Sequence, residues 1–154
     1  MHLHDHPNMS VYFRTLFGEL AYRGFDKVPE KFRYNQFSSD EYFQILGEKT
    51  TIDAKVVNET VIKGSQFMLV RPSTNNMHEF KALEDTCFFD ICLPNYSTDS
   101  LRRITYFKEI EDKALLEKGM TKLEYFASPP IFPEGFEINE VNYKGEYWNQ
   151  NNDP

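Results

Sequence analysis

The chain has 154 residues and a mass of 18.2 kDa, one domain by size and large enough to bury a core without disulfides or a structural metal. Hydrophobic residues at 40% and aromatics at 16%, with 14 Phe and 9 Tyr against one Trp, argue against disorder and suit the half-buried surface of a β protein. The net charge of −7 and pI near 5.1, with no clustered Lys/Arg face, argue against a nucleic-acid partner, whose phosphates need a basic footprint, and favour a small or neutral substrate.

In chain order, three histidines (His2, His4, His6) come first, and β-like runs follow at 10–17, 19–25, 50–57, 60–63, 66–70, 78–83, 86–93, 103–110, 122–127 and 136–143. Turn residues such as Gly18, Asn58, Gly64 and Pro94 separate them, the even spacing of a sandwich or barrel. Residues 26–47, with aromatics in neither clean period, read as a long insertion. Glu111 to Lys118 reads as the one helix, stopped by Gly119. The domain is expected over 1–147, and the Asn-rich stretch 148–154 as a polar tail. Cys87 and Cys92 are an odd number of residues apart in one run, so they fall on opposite faces of a strand and do not form a disulfide. With no apolar leader and no membrane-length apolar run, an intracellular protein is expected.

Residues two apart on a strand share a face, so His4 and His6 aim two imidazoles at one point. That is metal-ligand spacing, although a His-rich terminus is equally read as solvated composition or an adventitious nickel site. His78 opens an apolar run after a polar turn and offers a third ligand from a distant strand. Three neutral imidazoles leave coordination positions open, which describes a catalytic site holding either hydrolytic zinc or an oxygen-activating iron.

The strings Leu3-His4-Asp5-His6-Pro7-Asn8-Met9, Asn76-Met77-His78-Glu79-Phe80, Phe89-Asp90-Ile91-Cys92-Leu93-Pro94-Asn95-Tyr96 and Arg103-Ile104-Thr105-Tyr106-Phe107 occur in that order. Together they closely resemble the cysteamine dioxygenase and plant cysteine oxidase family. The resemblance implies a mainly β, cupin-type double-stranded β-helix (jelly-roll) barrel with one short helix. It implies Fe(II) on His4, His6 and His78, and the addition of both atoms of dioxygen to a thiol, cysteamine or an N-terminal cysteine, to give a sulfinic acid. By matching position, Asp90 is the carboxylate near the substrate amine, Tyr96 a pocket hydroxyl, and Tyr106 a residue lining the pocket or packed in the core. In that family the position of Ile104 can be a cysteine crosslinked to the tyrosine two residues on, a bond Ile104 cannot make.

Asp90 allows a separate check. A two-residue hairpin loop at Glu84 and Asp85 turns it away from His78, whereas a three-residue loop over 84–86 puts both on one face, so an odd loop or a bulge is expected. Family members also carry strands before the His-x-His motif, whereas Met1 lies three residues before His4 here. The expectation is therefore a barrel lacking N-terminal strands, its edge covered by another chain or by residues further upstream. The alternative functions are a catalytically silent cupin serving as a subunit of a larger assembly, and a zinc hydrolase. Phe13, Phe80 and Phe89 are assigned to core packing before any pocket role.

Overall fold

A computed structural model describes residues 1–28, 51–97, 102–126, 135–137 and 139. Among the described residues the strands are β1 (His4–Asp5), β2 (Ser10–Phe17), β3 (Glu19–Val28), β4 (Thr51–Lys63), β5 (Phe67–Val70), β6 (Met77–Ala82), β7 (Cys87–Leu93), β8 (Tyr106–Ile110) and β9 (Met120–Phe126), with one helix, α1 (Lys113–Leu116). Six strands close a barrel in the order β1-β6-β3-β4-β9-β8, and β5-β2-β7 form a separate three-stranded sheet. Every pairing among the described residues is antiparallel, and closure falls on His4, which faces His78 of β6 on one side and Tyr106 of β8 on the other. Within this ring β1 joins both neighbouring strands, while β5 and β7 are the outer strands of the small sheet among the described residues.

Two apolar clusters divide the interior. Leu3, Phe25, Ile52, Ala54, Met77, Phe107 and Leu123 form the first. Phe13, Leu20, Tyr22, Ile62 and Phe80 form the second, with Met68 and Phe88 packed on it from the small sheet. Strand alternation sorts residues between them: on β6, Met77 joins the first cluster and Phe80 the second. On β4 the sorting depends on a bulge, because Gly24 of β3 pairs with Asn58 while Phe25 pairs with Val56, leaving Val57 as the extra residue. Asn58, expected to separate two strands, thus lies inside a single 13-residue strand. The irregularity legible there is a bulge rather than a turn.

Three further boundaries differ from expectation. Residues 26–28, assigned to the insertion, continue β3 in register with 53–55 of β4. The helix is one turn only, started by Asp112, whose carboxylate accepts from Ala114 N at 3.1 Å and Leu115 N at 3.3 Å. Gly119 ends this connection at φ +68°, a left-handed conformation that costs glycine least. The run expected from Arg103 pairs only from Tyr106, the start of β8. The 29–47 part of the insertion, most of the 136–143 run and the 148–154 tail lie outside the described residues.

Gly24 is where backbone and side chains meet most closely. It is the Cα partner of His78, and a Cβ built on it falls 2.6 Å from Asn75 Oδ1 and 3.0 Å from the ring edge and hydroxyl of Tyr22. Gly24→Ala is therefore expected to destabilise the fold by about 1–3 kcal/mol, as overpacking does. It would be read as a lower urea midpoint at unchanged m-value; an unmoved midpoint would show that Asn75 has room to yield.

Candidate metal centre

His4 and His6 alternate with Asp5 on β1 and its extension, so their imidazoles face the second cluster while Leu3 and Asp5 face the first. His78, the partner of His4 across the ladder, faces the same way. All three histidines are buried, and their ligand atoms lie within 4.8 Å of one another. His6 Nε2 and His78 Nε2 are 3.1 Å apart. Two nitrogens each about 2.1 Å from one cation would be about 3.0–3.4 Å apart for right-angle to tetrahedral coordination, so this spacing fits a shared metal ion.

The hydrogen bonds on the far side of the His4 and His6 rings decide which nitrogen of each has a free lone pair. His4 Nδ1 lies 2.8 Å from the His2 carbonyl, which can only accept, so the proton is on Nδ1 and Nε2 is left bare. Tyr96 gives its single hydroxyl proton to the Asp5 carbonyl at 2.9 Å. Its oxygen, 2.6 Å from His6 Nδ1, then accepts the Nδ1 proton, again leaving Nε2 bare. Asn76 completes the frame: its side chain donates to His6 O at 2.6 Å and accepts from His6 N at 3.3 Å, continuing the ladder past the end of β1.

Burial also keeps the rings neutral. It lowers His4 from 6.5, takes His6 down to about 3 with the neighbouring His4 adding to the shift, and takes His78 well below 6.5. Neutral imidazole is the ligand form. Aromatic rings wall the site: Phe80 lies 4.7 Å and Tyr22 5.5 Å from the His78 ring, and Tyr106 6.1 Å from His4.

Asp90 points inward, but not for the expected reason. β6 and β7 do not form a hairpin; they lie in different sheets, and β7 pairs with β2, placing Asp90 beside Phe13. Phe88, Asp90 and Cys92 turn inward while Phe89, Ile91 and Leu93, at 40, 48 and 54%, turn to solvent. Phe89 is thus a surface residue, whereas Phe13 and Phe80 are core. Asp90 Oδ1 is buried with no hydrogen-bond partner among the described residues, and burial pushes its pKa up to about 6. Both cysteines are free thiols, and burial raises that of Cys92, with Asp90 adding to the effect.

Sequence reasoning missed Asn76 and Lys27. Lys27 forms a buried ion pair with Asp5 at 3.3 Å, and burial draws its ammonium down to about 8 against the opposing pull of Asp5. Tyr96→Phe is expected to weaken metal binding about 10- to 100-fold, because it removes the acceptor that sets the His6 tautomer. Chelator competition would measure this, and an unchanged affinity would show that the tautomer is fixed elsewhere.

A β-barrel with three inward histidines of this kind is of cupin type. The chain belongs to the PCO_ADO family, whose model matches residues 1–147. It is 31% identical over 105 residues to plant cysteine oxidase 2 of Arabidopsis thaliana, a match covering 68% of this chain and 34% of that protein. Plant cysteine oxidase 1 of the same organism is 27% identical over 108 residues, 70% of this chain and 33% of that protein. A probable 2-aminoethanethiol dioxygenase of Dictyostelium discoideum is 24% identical over 106 residues, 68% of this chain and 43% of that protein. The matches thus span between a third and less than half of these relatives. Among the described residues, no helix is long and apolar enough to cross a membrane.

Proposed function

We propose that this chain is a non-haem iron thiol dioxygenase domain that converts cysteamine or an N-terminal cysteine to its sulfinic acid. The observation that carries the reading is the convergence of three buried, neutral imidazoles, two of them with tautomers that leave Nε2 bare. His4, His6 and His78 would hold the iron, which, when bound, supplies a common site for thiol and dioxygen. The reaction balances without an external reductant: R–SH and O₂ give R–SO₂H, sulfur losing four electrons and dioxygen gaining them.

The remaining roles belong to side chains. Asp90, inward-facing and with an unfilled acceptor, is suited to the substrate ammonium, whose charge would restore the carboxylate that burial disfavours. Tyr96 holds His6 in orientation, and Tyr106 lines the wall beside His4. The aromatic wall of Phe80 and Tyr22 excludes water behind His78.

Purified protein loaded with Fe(II) should convert cysteamine or a Cys-initiated peptide, under air, to a product bearing two added oxygens, seen by mass spectrometry. No such product at full iron loading would reject the reading. Elemental analysis of protein prepared without a His-affinity column tests iron against zinc. A second reading, a subunit of a larger assembly, draws on the outer face of the small sheet, where Phe67, Phe89, Ile91 and Leu93 are 40–58% exposed. Sedimentation of a lone monomer, stable and active, would dismiss it.

A further inference from the structure

Behind the histidines, on the opposite face of β1, lies a second polar cluster that metal chemistry does not require. Asp5 and Lys27 are buried, their side chains 0 and 5% exposed, and Lys27 Nζ stands 5.5 Å from the ring centroid of Phe107 in the first apolar cluster. The Asp5 carboxylate accepts from Lys27 Nζ at 3.3 Å and from Thr105 N at 2.8 Å. The same residue donates its backbone N–H to Thr105 O at 3.1 Å and accepts the Tyr96 hydroxyl at 2.9 Å. One residue thus ties β1 to β3, to the segment before β8 and to the tyrosine on His6.

Stability alone is a weak account of this arrangement. A buried ion pair pays desolvation on both charges, and well-packed apolar residues of similar volume often serve as well or better. What apolar packing cannot supply is direction. β1 itself is two residues long, and although backbone bonds of Met1 to Phe80, Leu3 to Phe107 and His6 to Asn76 extend its ladder, twisting or sliding of so short a strand swings His4 and His6 away from His78. A carboxylate fixed by two donors from different elements resists both.

We infer that the Asp5–Lys27 pair is a positioning device for the three-histidine centre, setting the rotation and height of the strand that carries His4 and His6. This rests on reading those histidines as ligands. Lys27 acts on the imidazoles through Asp5 and is a positioning residue, not a catalytic one.

The test compares wild type with Lys27→Met, following the histidine ring ¹⁵N–¹H correlations of the metal-free protein and, separately, Fe(II) affinity by chelator competition. The His4 and His6 ring signals are expected to move, and Fe(II) binding to weaken about 10- to 100-fold, the range for groups that orient ligands. Ring signals and affinity both unchanged, whatever happens to the melting temperature, would reduce the pair to a structural contact and overturn the inference. If ring signals move but wild type itself binds no Fe(II), the metal reading fails while the positioning of the two imidazoles stands. Should Lys27→Met not fold, Asp5→Asn, which keeps an acceptor for Thr105 N, carries the same two readouts.

Discussion

His78→Ala is expected to abolish stoichiometric iron binding and thiol oxidation while leaving the barrel folded. His78 supplies the only donor of the cluster that does not come from the first six residues, and without it only two imidazoles remain of the three, and the aromatic wall of Phe80 and Tyr22 that packs on the His78 ring offers no nitrogen ligand in its place. Among the described residues no other group of His, Cys, Asp or Glu is arranged to hold a metal. The loss should exceed the roughly 100-fold that removal of a ligand-orienting group costs. Removing a buried imidazole leaves a cavity but also removes a poorly solvated polar group, so a modest fall in melting temperature is expected. Iron-to-protein ratio and sulfinate yield are the measurements; iron retained at one per chain would place the metal elsewhere.

The second large effect is acid sensitivity of the metal-free protein. His4, His6 and His78 have folded pKa values below the ordinary 6.5, so as pH falls below about 6.5 the unfolded chain takes up protons that the folded chain refuses. The stability these groups contribute is present above 6.5 and lost as pH falls, for His6 down to about 3. Each such proton is worth about 1.4 kcal/mol per pH unit, and His6, lowered to about 3, and His78, lowered well below 6.5, carry most of the slope. Asp90 acts in the opposite sense. Its folded pKa of about 6 exceeds the ordinary 3.8, so between those values the folded state binds the extra proton. It offsets about one of the histidine protons there. Urea midpoints should fall steeply from pH 7 to pH 5, and His78→Gln should reduce the slope by about one proton. Midpoints independent of pH over this range would show that the rings protonate freely in the folded state.

The sequence exposes the site more fully than the frame around it. The period of two at His4 and His6 is a property of any extended backbone, so their shared face needs no tertiary knowledge. The facing of Asp90 was accessible only as a choice between loop lengths, because the hairpin from which it was argued does not form. Its true partner, Phe13, is set by a sheet pairing between distant runs. The division of β4 at Asn58 failed for a related reason: Asn suits both a turn and a bulge flank, and only the register with Gly24 separates them. Asn76 and Lys27 carry no local signal. Asn76 acts on a backbone 70 residues away, and Lys27 looks like any strand-end lysine until β1 and β3 are laid on either side of β6 and Asp5 comes beneath it.

The two-residue length of β1 also bears on when the protein becomes competent. His6 meets His78 across 72 residues, Tyr96 across 90, and Asp5 meets Thr105 across 100. The ends of such long loops must be brought together before any contact repays the lost entropy, and β1 offers few contacts in return. Its insertion between β6 and β8 is therefore expected to be among the last events of folding, completed only after the chain has been synthesised past Thr105. On that order, ion loading reports completion of the fold: a chain that captures a cation at all three rings has already closed its barrel.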